Sequence, residues 1–290
     1  MAASESMVPP PVAGGDAARE ELEQIEVDLL LEAVFRRYGF DFREYAPASL
    51  KRRLWRRMSA EGLKTISQLQ DRLLHDPPAM ERLLLDLSIN VTSMFRDPSF
   101  YVAFREQVVP ALHTYPFTRI WCAGCSTGEE VYSLAILLQE EDLYERTRIY
   151  ATDINEQVLD TARAGVFPLD KMKQYTQNYI RAGGKREFSE YYVAAYDGAR
   201  FSRSLTENVV FAQHNLASDR AFNEFNVILC RNVMIYFDKT LQNRVHKLFH
   251  ESLDTFGILA LGHKESVLFT AFADSYEPID AAERIYRKTK

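Results

Sequence analysis

The feature that most constrains the fold is an apolar segment that runs through a small, glycine-containing turn into a helical pattern. The apolar segment covers residues 120–123, the turn 124–128 and the helical pattern 129–138. A strand, a tight turn and a helix in this order are typical of the start of a nucleotide-binding α/β sheet, whose turn stays small because a ligand approaches its backbone. A second apolar segment ends in Asp153. In such sheets an acid that binds the ribose hydroxyls follows the turn by roughly 20 residues, and Asp153 lies at about this distance.

The turn and the start of its helix indicate which adenosine-containing ligand binds. A dinucleotide requires G-x-G-x-x-G, because its pyrophosphate comes close to a helix N-terminus. This turn instead has Gly124 and Gly128, and the helix opens with Glu129 and Glu130, whose carboxylates would repel a pyrophosphate. A phosphate-free, positively charged ligand fits better, so the sequence predicts S-adenosyl-L-methionine, with S-adenosyl-L-homocysteine as its product. The alternative is a structural turn without a ligand.

Two cysteines in this region, Cys122 and Cys125, form W-C-x-x-C, which is also a pattern of thioredoxin-like redox pairs. In that pattern the first cysteine starts a helix, whereas Cys122 still belongs to the strand. We therefore predict small buried thiols. With Cys230 the chain has 3 cysteines, and we see neither an apolar signal segment nor a long apolar run. These features predict a reduced, soluble, cytoplasmic protein that does not insert into the membrane.

The whole chain of 290 residues is 47% hydrophobic, enough for a sizeable core, and its formal net charge of −6 argues against a general nucleic-acid binder. Composition and periodicity divide it into four parts. These are a disordered tail at 1–18, a helical N-terminal domain at 19–88, a linker at 89–117, and an α/β domain at 118–290.

A basic cluster in the helical part contains Arg52, Arg53, Arg56 and Arg57, which fall on one side of a helix of period 3.6. Two interpretations stay open. The cluster is either a solvated face of a surface helix or a docking surface for an acidic partner.

Polar residues follow several apolar segments, where the ends of strands in an open α/β sheet form a ligand site. Arg231, Asn232 and Tyr236 follow the apolar run 225–230, and Asn215 follows the run 209–213. Between the two domains, the segment 90–98 mixes polar and apolar residues. If a helix starts there, three of its side chains face one site, namely Asn90, Thr92 and Arg96; the alternative is an N-capped helix with Arg96 in an ordinary ion pair.

The order of these segments resembles one family, the CheR-type methyltransferases, which esterify glutamates on bacterial chemoreceptors. The matching pieces are N-V-T-S-M-F-R, C-S-T-G-E-E-V-Y-S-L-A, A-T-D-I-N-E-Q-V-L-D-T-A-R-A-G-V-F, H-N-L, C-R-N-V-M-I-Y-F-D and L-G-H-K-E-S. They extend over the chain from about Leu22 to its end. One departure is Lys264, since the family often has G-H-S-E where this chain has G-H-K-E.

The resemblance implies an α/β fold, a Rossmann-like methyltransferase sheet with a small β insertion, preceded by an all-helical N-terminal domain. The insertion covers about 167–208 and contains a hairpin signal at Asp197-Gly198. The resemblance also implies site residues. They are Asn90, Thr92 and Arg96 from the linker, Glu130 at the amino-acid part of the cofactor, Asp153 at its ribose, Asn215 and Leu216 at its adenine, Cys230 and Arg231 at its methionine portion, and Arg96 and Tyr236 nearest the transferred methyl group.

The implied function is O-methylation of glutamates on cytoplasmic chemoreceptor helices, in sensory adaptation. One alternative is a methyltransferase for another protein or for nucleic acid, and such enzymes often carry N/D-P-P-Y/F after the fourth strand. The chain has Asp76-Pro77-Pro78 only in its helical part. The other is a non-catalytic signalling adaptor that binds S-adenosylmethionine. For His246 and His250 we see no third ligand, so we predict two helix-surface residues and no metal site.

Overall fold

The computed structural model describes residues 15–88, 92–195, 198–268 and 270–289. The chain forms two compact units. The first contains the chain up to Arg43 together with Pro47–Leu83, and the second contains Glu44–Ala46 together with the chain from Leu84 onward. Glu44–Ala46 therefore belongs to the second unit, although residues of the first unit flank it in the sequence. Nowhere in the described ranges is a helix both long and apolar enough to cross a membrane.

Helices build the first unit, and residues that favour helix ends set their bounds. The helices are α1 (Asp16–Tyr38), α2 (Pro47–Ala60), α3 (Ile66–His75) and α4 (Pro77–Leu87), whose last turn belongs to the second unit. Gly39 ends α1 in the left-handed conformation, with a φ of 79°. The Thr65 side chain accepts a hydrogen bond from the N–H of Gln68 and so caps α3.

Helix α1 begins earlier than the sequence predicts. Because α1 starts at Asp16, the predicted disordered tail is wrong for residues 16–18. Asp16 places a carboxylate in the first turn, where it interacts favourably with the helix dipole, and the two alanines that follow are strong helix formers. Residues 1–14 lie outside the described part of the chain.

Helix α2 does not present its arginines on one exposed face, so that prediction is wrong. Arg52 and Arg56 are exposed, but Arg53 is only 5% exposed. Arg57 forms an ion pair with Glu61, with 3.3 Å between Nη1 and Oε1. The four arginines span more than 100° around the helix, so the inner ones turn towards buried surface.

The described residues of the second unit form ten strands. They are β1 (Thr118–Ala123), β2 (Thr147–Asp153), β3 (Val166–Phe167), β4 (Tyr192–Ala195), β5 (Gly198–Phe201), β6 (Val209–Gln213), β7 (Phe225–Cys230), β8 (Leu253–Leu261), β9 (Tyr276–Asp280) and β10 (Ile285–Lys288). Seven form a main sheet in the order β6-β2-β1-β7-β8-β10-β9. The first five of these pair in parallel, and β10 is antiparallel to both of its neighbours.

The helices of the second unit include α5 (Pro98–Ala103) and α6 (Val109–Leu112), which a π-helical segment, Phe104–Val108, connects. The others are α7 (Glu129–Glu140), α8 (Glu156–Ala164), α9 (Met172–Arg181) and α10 (Lys239–Ser252). Alternate residues of β1 pack into two buried clusters: Ile120 and Cys122 belong to one, and Trp121 and Ala123 belong to the other. This alternation is the pattern of a strand covered on both faces.

A small sheet interrupts the main one in sequence. Strands β3, β5 and β4 pair antiparallel in that order, and α9 lies in the chain between β3 and β4. Ala195 of β4 pairs with Gly198 of β5, so the predicted hairpin is present. The predicted fold class, a Rossmann-like sheet with a small β insertion after a helical N-terminal part, is confirmed.

Candidate functional site

The turn after β1 has glycines where a side chain has no room. Gly124 has a φ of 76°, and a Cβ there would lie 2.5 Å from Cγ2 of Val233. Gly128 has a φ of 97°, and its Cβ would lie 2.8 Å from Cβ of Ala162. The sequence predicts a small turn because a ligand approaches it. The structure adds a second cause, since the loop after β7 and helix α8 also pack against it.

Asp153 ends β2 beside this turn. Its Oδ2 accepts a hydrogen bond of 2.9 Å from the N–H of Ser126, and its Oδ1 accepts one of 3.0 Å from the N–H of Asn155. The side chain is 8% exposed, and burial raises the pKa of Asp153 although these backbone hydrogen bonds favour the charged form. The two bonds fix the carboxylate at the carboxyl edge of the sheet and leave lone pairs for a ligand.

The two glutamates that open α7 point in different directions, because consecutive helix residues are about 100° apart. Glu129 is buried and accepts hydrogen bonds from the hydroxyls of Tyr175, at 3.2 Å, and Thr127, at 2.6 Å. Glu130 instead accepts one of 2.9 Å from Nη1 of Arg231. Only Glu130 lines the cavity described below.

Arg231, the first residue after β7, is held on several sides. Its guanidinium lies 2.9 Å from Oε2 of Glu130 and 2.9 Å from Oδ2 of Asp97, and it donates a hydrogen bond of 3.2 Å to the carbonyl of Arg96. It also lies 4.0 Å from the ring centroid of Phe100. Burial alone would lower the pKa of Arg231, but attraction to Glu130 and its other neighbours raises it. The cation is therefore fixed and permanently charged.

Glu265 organises the loop that follows Arg231. Its buried carboxylate accepts hydrogen bonds of 2.7–2.9 Å from four backbone N–H groups, those of Asn232, Val233, Met234 and Gly262. Burial raises the pKa of Glu265, while the four donors favour its charged form. Sequence reasoning noted Glu265 only within the G-H-K-E departure and missed this role.

The segment Glu44–Ala46 adds an aromatic ring to the same region. The ring of Tyr45 lies 4.9 Å from that of Phe237, and the N–H of Ala46 donates a hydrogen bond of 2.9 Å to the carbonyl of Tyr236. An isolated bridge between Tyr45 and Phe237 completes the attachment. Nothing in the local sequence of this segment indicates that it belongs to the site.

One open cavity brings these groups together, and the space between its walls, including the solvent at its mouth, is about 940 Å³. Predicted residues that line it are Thr92, Arg96, Glu130, Asp153, Asn215, Leu216, Arg231 and Tyr236. Residues that sequence reasoning did not assign to the site are Tyr45, Leu87, Ser88, Ser93, Ile154 and Phe237.

Two predicted residues are not among those lining residues. Asn90 lies outside the described residues. Cys230 is fully buried and packs with the Trp121 cluster, so its side chain does not line the cavity, and its place beside the methionine portion of the cofactor stays a prediction. The physical reason is strand alternation, which turns Cys230 towards the same face as Ile228 and leaves only Arg231, beyond the strand, to reach the cavity.

The cysteines and histidines mentioned above have structural surroundings. Cys122 and Cys125 are free and buried, as predicted, and burial raises the pKa of both thiols. His246 is 3% exposed, so the prediction of a helix-surface residue is wrong for it. His250 stacks on Phe272 with ring centroids 4.8 Å apart. Within the described ranges, no group of His, Cys, Asp and Glu could hold a metal ion.

The parallel sheet, the acid after β2 and the oppositely charged pair on the cavity wall define a class, the S-adenosylmethionine-dependent methyltransferases. Comparison with known proteins makes this specific. The chain belongs to the CheR methyltransferase family: residues 25–88 match its all-alpha domain, and residues 90–283 match its S-adenosylmethionine-binding domain. The predicted cofactor is therefore confirmed.

Three relatives show how far the similarity extends. Cher3 of Pseudomonas putida is 52% identical, over 93% of this chain and 99% of that protein. Chemotaxis protein methyltransferase 2 of Pseudomonas aeruginosa is 32% identical, over 89% of this chain and 91% of that protein. The chemotaxis protein methyltransferase of Salmonella typhimurium is 30% identical, with 82% of each chain covered.

Proposed function

We propose that this protein transfers the methyl group of S-adenosylmethionine to glutamate side chains on the cytoplasmic helices of chemoreceptors. Family membership supports methyl transfer, and two relatives are named as chemotaxis protein methyltransferases. One observation carries the assignment of the cavity. Glu130 and Arg231 place opposite charges 2.9 Å apart on its wall, as the zwitterionic end of an amino acid requires.

The cavity residues suit the parts of the cofactor in turn. Glu130 would attract the ammonium group of the methionine portion, and Arg231 would attract its carboxylate. Asp153 would accept hydrogen bonds from ribose hydroxyls with the lone pairs that its backbone contacts leave free. Asn215 and Leu216 would border the adenine, and Thr92 would add a hydroxyl from the linker.

For this reaction the protein must align the acceptor carboxylate with the methyl group, and it does not need to transfer a proton. When bound, S-adenosylmethionine supplies an electrophilic methyl group on a sulfonium centre, and the other product is S-adenosylhomocysteine. A glutamate with a pKa of about 4.3 is already ionised near neutral pH, so no general base is needed. Arg96 and Tyr236, which line the cavity, would orient the carboxylate at about 3–3.5 Å from the methyl carbon. Tight binding of the carboxylate in the ground state would slow the reaction. We therefore assign Arg96 and Tyr236 a role in positioning the carboxylate rather than in binding it tightly.

We propose that exposed cations dock the receptor. Methyl-accepting helices carry acidic residues, and Arg52 and Arg56 are exposed cations on one helix of the first unit. Because Arg53 is buried and Arg57 is paired with Glu61, we assign docking to Arg52 and Arg56 alone.

The test is transfer of a labelled methyl group to purified cytoplasmic receptor fragments from the same genome. Label that mild alkali releases as methanol is a glutamate methyl ester, which is the expected result. Base-stable label, or label on nucleic acid, would indicate another substrate. Tight cofactor binding without transfer to any fragment in the panel would indicate a signalling adaptor.

A further inference from the structure

A second cavity shares a wall with the cavity described above, which we call the cofactor cavity because the proposed function assigns it to S-adenosylmethionine. Met234 and Ile235 line it, whereas Val233 and Tyr236, on either side of them in sequence, line the cofactor cavity. One short turn after β7 therefore separates the two spaces. We call the second space the cationic cavity.

Three cations line the cationic cavity without a counter-ion. They are Lys239 at the start of α10, Lys264 in the loop after β8 and Arg284 in the turn before β10. Within the described ranges, none of the three forms an ion pair or a side-chain hydrogen bond. Three elements thus bring positive charge to one place in a chain whose net charge is −6.

The other titratable groups in the cavity wall compensate this positive charge only in part, because Glu265 contributes a single carboxylate against three cations. The carboxylate of Glu265 is occupied by four backbone donors. His263 pairs with Glu283 at 2.8 Å and lies 4.0 Å from Asp97. Burial lowers the pKa of His246 to about 4, so His246 is neutral near pH 7. The cavity therefore attracts anions.

The kind of anion follows from the donors that remain. Phosphate sites typically use a nest of free backbone N–H groups. Here Glu265 occupies the N–H groups of Asn232, Val233 and Met234, and the Asp238 side chain occupies that of Leu241. The charged donors that line the cavity are ammonium and guanidinium groups on long stems, which suit carboxylates presented at variable spacing.

We propose that the cationic cavity binds carboxylate side chains of the protein substrate that flank the methylated glutamate. This inference rests on the proposed function. Residues three or four positions apart on a helix lie about 5–6 Å from each other. A glutamate that reaches Tyr236 would thus have an acidic neighbour within reach of Lys239 and Lys264. Lys264 stands where the family often has serine, so this chain carries an extra cation at the cavity.

The experiment measures binding without methyl transfer. The probe is a fluorescent, helix-forming peptide of about 20 residues with glutamates at helical spacing, together with a glutamine counterpart. Anisotropy is recorded with S-adenosylhomocysteine present, at about 50 mM salt, where exposed charges are weakly screened. The variant is Lys239→Glu with Lys264→Glu, and neither residue lines the cofactor cavity. The control is Arg119→Glu with Lys247→Glu, the same charge change at exposed residues outside both cavities.

We expect the variant to bind the glutamate peptide roughly tenfold more weakly than the wild type, with the affinity for S-adenosylhomocysteine and the control unchanged. The glutamine peptide should bind neither protein appreciably. Equal peptide affinity in wild type and variant would overturn the inference. So would displacement of the peptide by inorganic phosphate that binds more tightly than the peptide, because the cavity would then be a small-anion site. If the protein transfers no methyl group but the variant still binds the glutamate peptide more weakly than the wild type, the proposed function is wrong and the anion-binding role of the cavity stands.

Discussion

Glu265 shows how one side chain determines the geometry of a binding loop. Its carboxylate accepts four backbone hydrogen bonds and joins the loop after β7 to the end of β8. Hydrogen bonds to an ionised acceptor are roughly twice as strong as neutral ones, and here they offset part of the desolvation of the charge. The loop in turn positions Arg231 and Tyr236 at the cofactor cavity.

We predict that Glu265→Gln weakens the binding of S-adenosylhomocysteine at least tenfold. A glutamine offers one acceptor oxygen and turns an NH₂ group towards backbone donors, which leaves buried N–H groups unpaired at about 1–3 kcal/mol. Calorimetric titration measures the effect, with the exposed Glu277→Gln as control. Wild-type affinity in Glu265→Gln would mean that the loop holds its shape without this carboxylate.

Tyr236 tests positioning separately from cofactor binding. We predict that Tyr236→Phe lowers kcat about 10- to 100-fold and leaves the affinity for S-adenosylhomocysteine within about twofold, because the role that we propose for the hydroxyl is to orient the acceptor carboxylate. Single-turnover methylation and cofactor titration measure the two quantities. An unchanged kcat would remove Tyr236 from the reaction, and a parallel loss of cofactor affinity would make its role structural.

At the scale of elements, helix periodicity and strand alternation decide which charged residues and cysteines are accessible. Arg53 and Cys230 both belong to predicted sites, yet each points to the buried side of its element. In each case a neighbour in sequence reaches the surface or the cavity, namely Arg52 on α2 and Arg231 after β7.

Helix α2 provides a prediction at this scale. We expect Arg52→Glu with Arg56→Glu to raise the KM for receptor fragments roughly tenfold and to leave cofactor affinity unchanged, since both charges are exposed and the effect is electrostatic. The effect should shrink as the salt concentration rises. Arg19→Glu with Lys64→Glu, two exposed cations of the same unit, is the matched control. Equal loss of cofactor affinity and receptor methylation would mean that α2 is structural.

At the scale of the whole molecule, the second unit has a core on both faces of its sheet, and His246 is buried at the edge of one of them. Burial lowers its pKa from 6.5 to about 4. Between these pH values the unfolded chain binds a proton that the folded protein does not. The neutral form therefore stabilises the folded state above pH 6.5, and this contribution is lost as the pH falls towards 4.

We predict that the free energy of unfolding of the second unit falls by about 2 kcal/mol between pH 7.5 and pH 5 through His246 alone, and that His246→Gln removes this part of the pH dependence. Urea unfolding followed by the fluorescence of buried Trp121, in a Trp55→Phe background, reports on the second unit. The exposed His75→Gln serves as control. The same pH slope in His246→Gln would show that other groups cause it.

Local patterns allowed much of the fold and the site to be predicted. The strand-turn-helix at 118–140, the acid that ends β2 and the polar residues after β7 are each contiguous in sequence, and each lies at the predicted edge of the sheet. Parallel strands in an α/β sheet end at the same edge, so residues that follow them meet without further information.

The sequence predicts the class of sheet, the cofactor and most of the residues that line the cavity, because strand and helix periodicity are local properties of the chain. Three features become visible only in the folded chain: Tyr45 joins the cavity, Glu265 holds the loop after β7, and Lys239, Lys264 and Arg284 line one cavity. These contacts join residues far apart in sequence. The packing of helices, strands and loops brings these residues together, and the local periodicity of the sequence does not predict that packing.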